Sequence, residues 1–284
     1  MKIGTRFARL AAGLTLALWT GLIAAQAQAP NGDMAPAWSP ATGNRIAYES
    51  DHDGDTEIYL VNLDRGTAEP LTDNAASDLA PSWSPDGTRI AFYSSRDGNF
   101  EIYVMNANGL NLRRLTQNSA IDWHPSWSPD GRMLVFEYWR DGQADLYAID
   151  LEANTLTRLT QTPQRESEPV WSRHGIAFGS LRGGEWGIYV LDPDSGEVRP
   201  LVTGLGIEPK PAWSPDGEWL AYTALWQGST DIHLVDRQGE VRQALTRDAY
   251  RDDGATWSAD GTRIAFSSQR QDRWRIMIRE VTLP

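Results

Sequence analysis

The sequence contains no cysteine, which excludes disulfide bonds, thiolate metal sites, cysteine nucleophiles and lipid attachment through a cysteine. Histidine is scarce, with four in 284 residues, and His174 and His233 show no mutual metal-ligand spacing. Basic residues are also in deficit, 26 against 38 acidic ones, for a formal net charge of −12. Such a surface repels nucleic acid and anionic membranes, because phosphate recognition needs a basic footprint. Beyond residue 25 no segment approaches 18 consecutive apolar residues, so no later stretch reads as a membrane span. What the chain does have is 40% hydrophobic residues, 25 glycines, 16 prolines and 13 tryptophans. That composition supports a sizeable core built from many short strands and turns.

The N-terminus places Lys2, Arg6 and Arg9 ahead of an apolar stretch from Leu10 to Ala25 and then Ala25-Gln26-Ala27. This order of positive start, apolar centre and small residues reads as a secretory signal over residues 1–27, cleaved after Ala27. Cleavage leaves the remainder at −15 and places it in the periplasm or outside the cell, as a chain without a membrane anchor.

The remainder repeats. Trp38, Trp83, Trp127, Trp171, Trp213 and Trp257 are spaced by 45, 44, 44, 42 and 44 residues, and serine follows each. An acidic residue stands five positions before every one of these tryptophans. After them come S-P-D-G, I-A-F, R-D-G, E-I-Y-V and R-x-L-T, fully represented between Asp78 and Thr116. Proline, aspartate and glycine supply turn chemistry, and the apolar runs between them are short and rich in β-branched and aromatic residues. Each unit therefore reads as four antiparallel strands, and about 44 residues per four-stranded unit is the signature of a propeller blade. The expected fold is an all-β, six-bladed β-propeller over residues 28–284, with blades beginning near residues 33, 78, 122, 166, 208 and 252. The six repeat tryptophans belong to the blade-to-blade core, since each blade must bury its faces against its neighbours. The sixth unit ends without an R-x-L-T strand. A three-stranded last blade is expected, or one completed by a very short N-terminal strand, with closure resting on packing between the first and sixth blades.

The repeated W-S-P-D-G, I-A-[FY], R-D-G and E-I-Y segments resemble the TolB-type propeller repeats, themselves related to WD-type repeats, over nearly all of the chain after Ala27. The resemblance implies a periplasmic envelope role in binding a protein, such as an outer-membrane lipoprotein. The α/β domain that precedes the propeller in TolB has no room between Ala27 and Asp33, so no role of that domain carries over. Similar repeats form the gating propeller of prolyl oligopeptidase-type peptidases, but this sequence has no G-x-S-x-G nucleophile elbow.

Loops on a rigid scaffold are where binding concentrates. The acidic positions Asp33, Asp78, Asp122, Glu166, Glu208 and Asp252 fall where an outer strand returns to the next inner strand, and a ring of like charge there favours a cation or basic segment. Arg96, Arg140, Arg182 and Arg270 occupy matching hairpins, so repeated ion pairs that stabilise the blades are the competing reading. His52 replaces this arginine in the first blade and Trp226 replaces it in the fifth, leaving Asp33 and Glu208 without that local cation. With Arg270 between them, these positions define the sector expected to hold a partner. Trp123 and His124 in the third blade's entry loop, with Tyr138 and Trp139, read as caps over neighbouring blades, with peptide or sugar recognition at the mouth as the competing reading, while Glu168 and Lys210 share the repeat position of His124 and are expected to line the entrance with it.

The run D-H-D-G-D at Asp51–Asp55 coincides with the R-D-G hairpin and reads as a turn, not an EF-hand loop. No resident cofactor is expected, although an acidic channel suits Ca²⁺. The favoured function is a monomeric, non-enzymatic propeller that binds a protein or peptide at its acidic mouth. The alternative is an enzyme acting on a carbohydrate or small ester in the channel, for which the sequence offers only His52, His124 and the ring carboxylates.

Overall fold

The computed structural model describes residues 17–19, 22–24, 32–41, 44–52 and 54–283. The described residues form antiparallel sheets arranged as six blades, and no helix occurs among them. The first blade consists of Asp33–Trp38, Arg45–Ser50, Glu57–Asn62 and Thr67–Pro70. The second, third and fourth open with Asp78–Trp83, Ile121–Trp127 and Arg165–Ser172, and each adds three further strands. In the fifth the inner strand shrinks to Ala212–Trp213, later than the expected start near residue 208. Pro209 and Pro211 have no N–H to give to a ladder.

Local sequence sets the turns. Ser84 Oγ donates to Asp86 Oδ1 at 2.5 Å and accepts the Arg89 N–H at 2.9 Å, while Gly87 closes the turn at φ +67°. The arrangement recurs at Ser128, Ser214 and Ser258, with Gly131, Gly217 and Gly261 at φ +69 to +70°, a backbone region open to glycine. In the first, second, third and fifth blades the threonine of the x-L-T segment ends the outer strand by accepting a backbone N–H. Thr72, Thr116, Thr160 and Thr246 do so from Ile58, Ile102, Leu146 and Ile232, each at 2.9 Å.

The core is divided among the blade interfaces. Six clusters of buried side chains each join two adjacent blades, such as Ala47, Ile58 and Leu60 with Trp83, Ile90, Phe92, Tyr103 and Met105. Phe92, Phe136 and Phe178 are fully buried, each contributing ~1.5–3 kcal/mol by removal from water. The repeat tryptophans add a directional link. Trp83, Trp127 and Trp257 donate their indole N–H to Ala37 O, Ser82 O and Ala212 O of the preceding blade at 2.9–3.0 Å. Arg263, Arg45 and Arg89 lie over Trp38, Trp83 and Trp127.

The sixth blade has three strands of its own, Arg251–Trp257, Arg263–Arg270 and Arg273–Glu280. Closure is by packing, as Trp38, Ile46, Tyr48 and Val61 of the first blade meet Ala265, Ile276 and Ile278 of the sixth. Ala35 N and Trp38 N donate to Ser267 Oγ and Thr256 Oγ1 across the same seam. Gly32 forms a parallel bridge with Trp274, and Leu22–Ala24 pairs with the outer edge of the last strand, with Ala17–Trp19 beyond it. Apart from these two short strands, the expected leader and its cleavage position lie outside the described residues.

Candidate functional site

Inner strands carry a bulge that determines what the channel sees. In the first, second, third, fourth and sixth blades the ladder with the second strand shifts register two residues after the acidic position. The bulged residue takes a positive φ, at Ala35 (46°), Ala80 (49°), His124 (49°), Glu168 (51°) and Gly254 (59°). A bulge of this kind bends the strand and re-aims side chains. Here the bulged residues and Lys210, their equivalent in the fifth blade, line a central cavity of about 720 Å³.

The cavity extends from this tier to the S-P-D-G end of the propeller, where exposed Pro40, Pro85, Pro129 and Pro215 form its rim. None of its lining comes from the hairpins between second and third strands, so it opens at the end opposite the expected mouth. Its charged groups do not repeat. His124 Nε2 lies 3.4 Å from Glu168 Oε1, and His124 Nδ1 lies 3.4 Å from Glu137 Oε2. Burial alone would lower the imidazole pKa, but the two carboxylates outweigh it and raise it to about 9. Lys210 Nζ contacts Asp253 Oδ2 at 2.8 Å, and Thr223 Oγ1 donates to Asp253 Oδ1 at 3.0 Å. Burial opposes the ammonium, yet Asp253, Glu168 and Glu49 hold its pKa above the ordinary lysine value. Glu49 accepts the Ala80 N–H at 2.6 Å, and burial raises its carboxyl pKa nonetheless. Glu137 is wholly buried behind the wall, with Oε1 free of any hydrogen bond.

The expected acidic ring is absent from the cavity wall. Asp33, Asp78, Asp122, Glu166 and Asp252 are no more than 4% exposed and turn into the blades. Asp78 receives Arg96 Nη2 on both oxygens at 2.7 and 2.8 Å together with Asn74 Nδ2 at 2.7 Å. Asn118, Thr162 and Ser268 donate to Asp122, Glu166 and Asp252. Several of these acids also face the acid that opens the third strand of the preceding blade, as Asp78 faces Glu57 and Asp122 faces Glu101. Burial, reinforced by those neighbours, raises Asp122 and Glu57 to about 7. Burial likewise raises Asp33 and Asp252 to about 6.

The expected sector is rearranged too. Glu208 is half-buried and meets Arg165 of the preceding blade at 3.4 Å, so it does not lack a cation. Asp33 is influenced by Arg275 of the sixth blade as well as by His52, which is exposed in its turn. Arg270 binds Ser268 and Asp248 and stacks over Tyr250 at 3.7 Å, reaching Asp252 only through Ser268. Trp226 is exposed. Trp123, Trp139 and Trp186 form a half-buried aromatic wall with Arg165 set against Trp139 and Trp186, in keeping with a capping role. Sequence reasoning placed His124, Glu168 and Lys210 at the entrance and missed Glu49, Glu137 and Asp253. The signal was there in the residue after I-A-[FY], which runs Glu49, Tyr93, Glu137, Gly179, Thr223 and Ser267 without a consensus. Among the described residues no group of three or more histidines and acids is arranged to hold a metal ion, and no helix is long and apolar enough to cross a membrane.

Comparison with known proteins places this architecture. The chain is 38% identical over 69 residues to the Tol-Pal system protein TolB of Desulfosudis oleivorans, covering 23% of this chain and 16% of that protein. It is 33% identical over 98 residues to an uncharacterized protein of Agrobacterium fabrum, covering 34% of this chain and 33% of that protein. The chain thus matches a third or less of the length of these relatives. Among solved structures it resembles TolB from Acinetobacter baumannii, with a TM-score of 0.73 and 28% identity over 80% of this chain and 57% of that one. A putative TolB from Agrobacterium tumefaciens gives a TM-score of 0.74 and 24% identity over 90% and 92% of the two chains. An oligogalacturonate lyase in complex with manganese shares the fold at 16% identity, with a TM-score of 0.63 over 95% and 96% of the chains. The sequence profile of the TolB beta propeller domain matches residues 27–178 and 174–283, and the chain belongs to that family.

Proposed function

We propose that the protein is a periplasmic, non-enzymatic propeller that binds a segment of a protein partner in its central cavity, with a cationic group of that segment directed to the tier of bulged residues. The observation that carries this reading is the non-repeating ionic cluster. Six blades built on one pattern place Ala35, Ala80 and Gly254 at three bulge positions but His124, Glu168 and Lys210 at the other three. Structural needs are the same in every blade, so charge confined to some of them points to a ligand. Around the tier of bulged residues the carboxylates Glu49, Glu137, Glu168 and Asp253 outnumber the cations His124 and Lys210, and Arg173, the other cation of the lining, lies at the rim paired with Glu218, which favours a cationic group over an anionic one at the tier. The named relative of the Tol-Pal system supports an envelope location and a protein partner.

An enzyme in this channel would need acid-base and nucleophilic groups turned to one point. His124 instead directs both ring nitrogens at Glu137 and Glu168, and no observation favours catalysis. The test is capture from an envelope extract with the wild-type protein and with Glu49→Gln and Glu168→Lys variants, each of which removes a carboxylate from the tier, under conditions where all three melt alike. A protein retained by the wild type and lost by the variants supports the reading. An identical bound set with all three refutes it.

A further inference from the structure

The opposite end of the propeller carries a surface of different chemistry. Among the described residues eight large hydrophobic side chains are exposed, and two of them, Trp226 (52%) and Tyr250 (39%), lie at the neighbouring tips of the fifth and sixth blades, while Leu225 (46%), the strand neighbour of Trp226, turns to the other face of the hairpin. Ser229 Oγ, across the hairpin from Trp226, donates to Tyr250 O at 2.6 Å, and Leu225 packs over Gly206.

Trp226 has no part in the hairpin architecture of the other blades. In the second, fourth and sixth blades an arginine at the hairpin, Arg96, Arg182 or Arg270, turns back so that Nε donates to the serine two positions earlier, Ser94, Ser180 or Ser268. The fifth blade has lost both partners of this bond at once, with Trp226 for the arginine and Ala224 for the serine. The indole is nevertheless held firmly. Its hairpin is a two-residue turn with Gln227 at φ +49° and Gly228 at +89°, the geometry whose twist matches antiparallel strands. A large aromatic on a rigid, exposed turn loses little freedom on binding and is the usual anchor of a protein interface.

The rim of this patch is basic on a protein that is acidic overall. Arg247, Arg251 and Arg273 are exposed, and Arg270 lies between them against Tyr250. Arg247 acts electrostatically on His233, which lies beside Trp226, and Arg273 faces Arg270 across the hairpin. Asp248 is taken up by Arg270 at 3.1 Å, Asp231 and Asp252 are buried with their carboxyls raised by that burial, and Asp272 is exposed in the hairpin. Cations are therefore in excess here, although the whole chain carries −12.

We propose that Trp226 and Tyr250, with the arginines around them, form a second docking surface for an acidic segment of a partner protein that carries a bulky apolar side chain. Charge complementarity selects the acidic segment, the exposed rings take its apolar side chain, and an anionic polysaccharide is the other occupant that the competitor below tests. The surface is independent of the cavity, being at the other end of the blades.

The test uses fluorescein-labelled peptides in which glutamates flank one phenylalanine and one leucine, beside a glutamine-for-glutamate counterpart and unlabelled hexagalacturonate as competitor. Anisotropy titration is expected to show the acidic peptide binding at least tenfold more tightly than the neutral one, and weakening as salt is raised. Trp226→Ala, and separately Arg251→Glu with Arg273→Glu, should each weaken it at least tenfold with melting temperature unchanged. The Lys210→Glu cavity variant should bind it as the wild type does. Equal binding of the neutral peptide, indifference to Trp226→Ala, stronger binding of hexagalacturonate or no binding at all would overturn the proposal. Loss of binding in Lys210→Glu would do the same by merging the surface with the cavity.

Discussion

Asp122 should make the fold more stable in mild acid than at neutral pH. Its side chain is fully buried against Glu101 across the interface of the second and third blades, and one of its oxygens has no hydrogen-bond partner. Burial raises it from 3.8 to about 7, so between those values the folded chain holds a proton that the unfolded chain has released. Stability from this proton is fully present below about pH 4 and is lost as pH rises through 7, at ~1.4 kcal/mol per pH unit per proton. Three units give a ceiling of ~4 kcal/mol for this residue. Glu57, Asp33 and Asp252 act in the same direction, since burial raises each of them as well. Asp86 and Asp260, lowered to about 2 by hydrogen bonds from Ser84 and Ser258, oppose the trend only below about pH 4. The perturbation is Asp122→Asn, whose amide accepts from Asn118 and donates towards Glu101 as the protonated acid does, at every pH. At pH 4 variant and wild type should melt nearly together, because the unfolded chain then still holds most of its proton. At pH 8 the variant should be the more stable by ~1–4 kcal/mol, or roughly 2–16 °C in a chain of this size. Thermal melts followed by circular dichroism at the two pH values measure this. A wild type equally stable at both, or a variant destabilised equally at both, would refute the reasoning.

Two further outcomes follow from the blade contacts. Arg96→Ala leaves the buried Asp78 carboxylate without its bidentate partner and should destabilise the fold by ~2–4 kcal/mol in urea titration, whereas Arg140→Ala, at an exposed hairpin, should change it by less than ~0.5 kcal/mol. Removing residues 251–283 exposes Trp38, Ile46 and Tyr48 at an open seam and should abolish the cooperative melt, and a sharp transition from the truncated chain would contradict closure by packing.

The spacing of the six tryptophans and the S-P-D-G turns made the blade count legible, because both are local devices. The turn is complete within six residues, from Ser84 to Arg89, and the indole bond to the preceding blade needs only the repeat. The missing R-x-L-T strand likewise announced a three-stranded sixth blade. Legibility ended at orientation. Alternation along a strand would turn the residue at the acidic position and the residue two beyond it to the same face. A bulge between them breaks that parity and sends Asp122 into the blade and His124 into the cavity. Ala35, Ala80 and Glu168 are not residues that favour a positive φ, so at those positions the sequence carries no mark of the bulge.

By itself, then, the sequence determined five four-stranded blades and a three-stranded sixth, their turns, their tryptophan core and the positions where one blade departs from the others. Those features depend on residues near each other in the chain or on exact repetition. Only the tertiary structure decided which charges meet. Arg165 reaches Glu208 across 43 positions, Lys210 reaches Asp253 across 43, and His124 joins Glu137 to Glu168 of the next blade. Such pairs form between blades, where geometry is set by ring closure and inner-strand bulges, and Coulomb interaction across a few ångströms takes no account of separation along the chain.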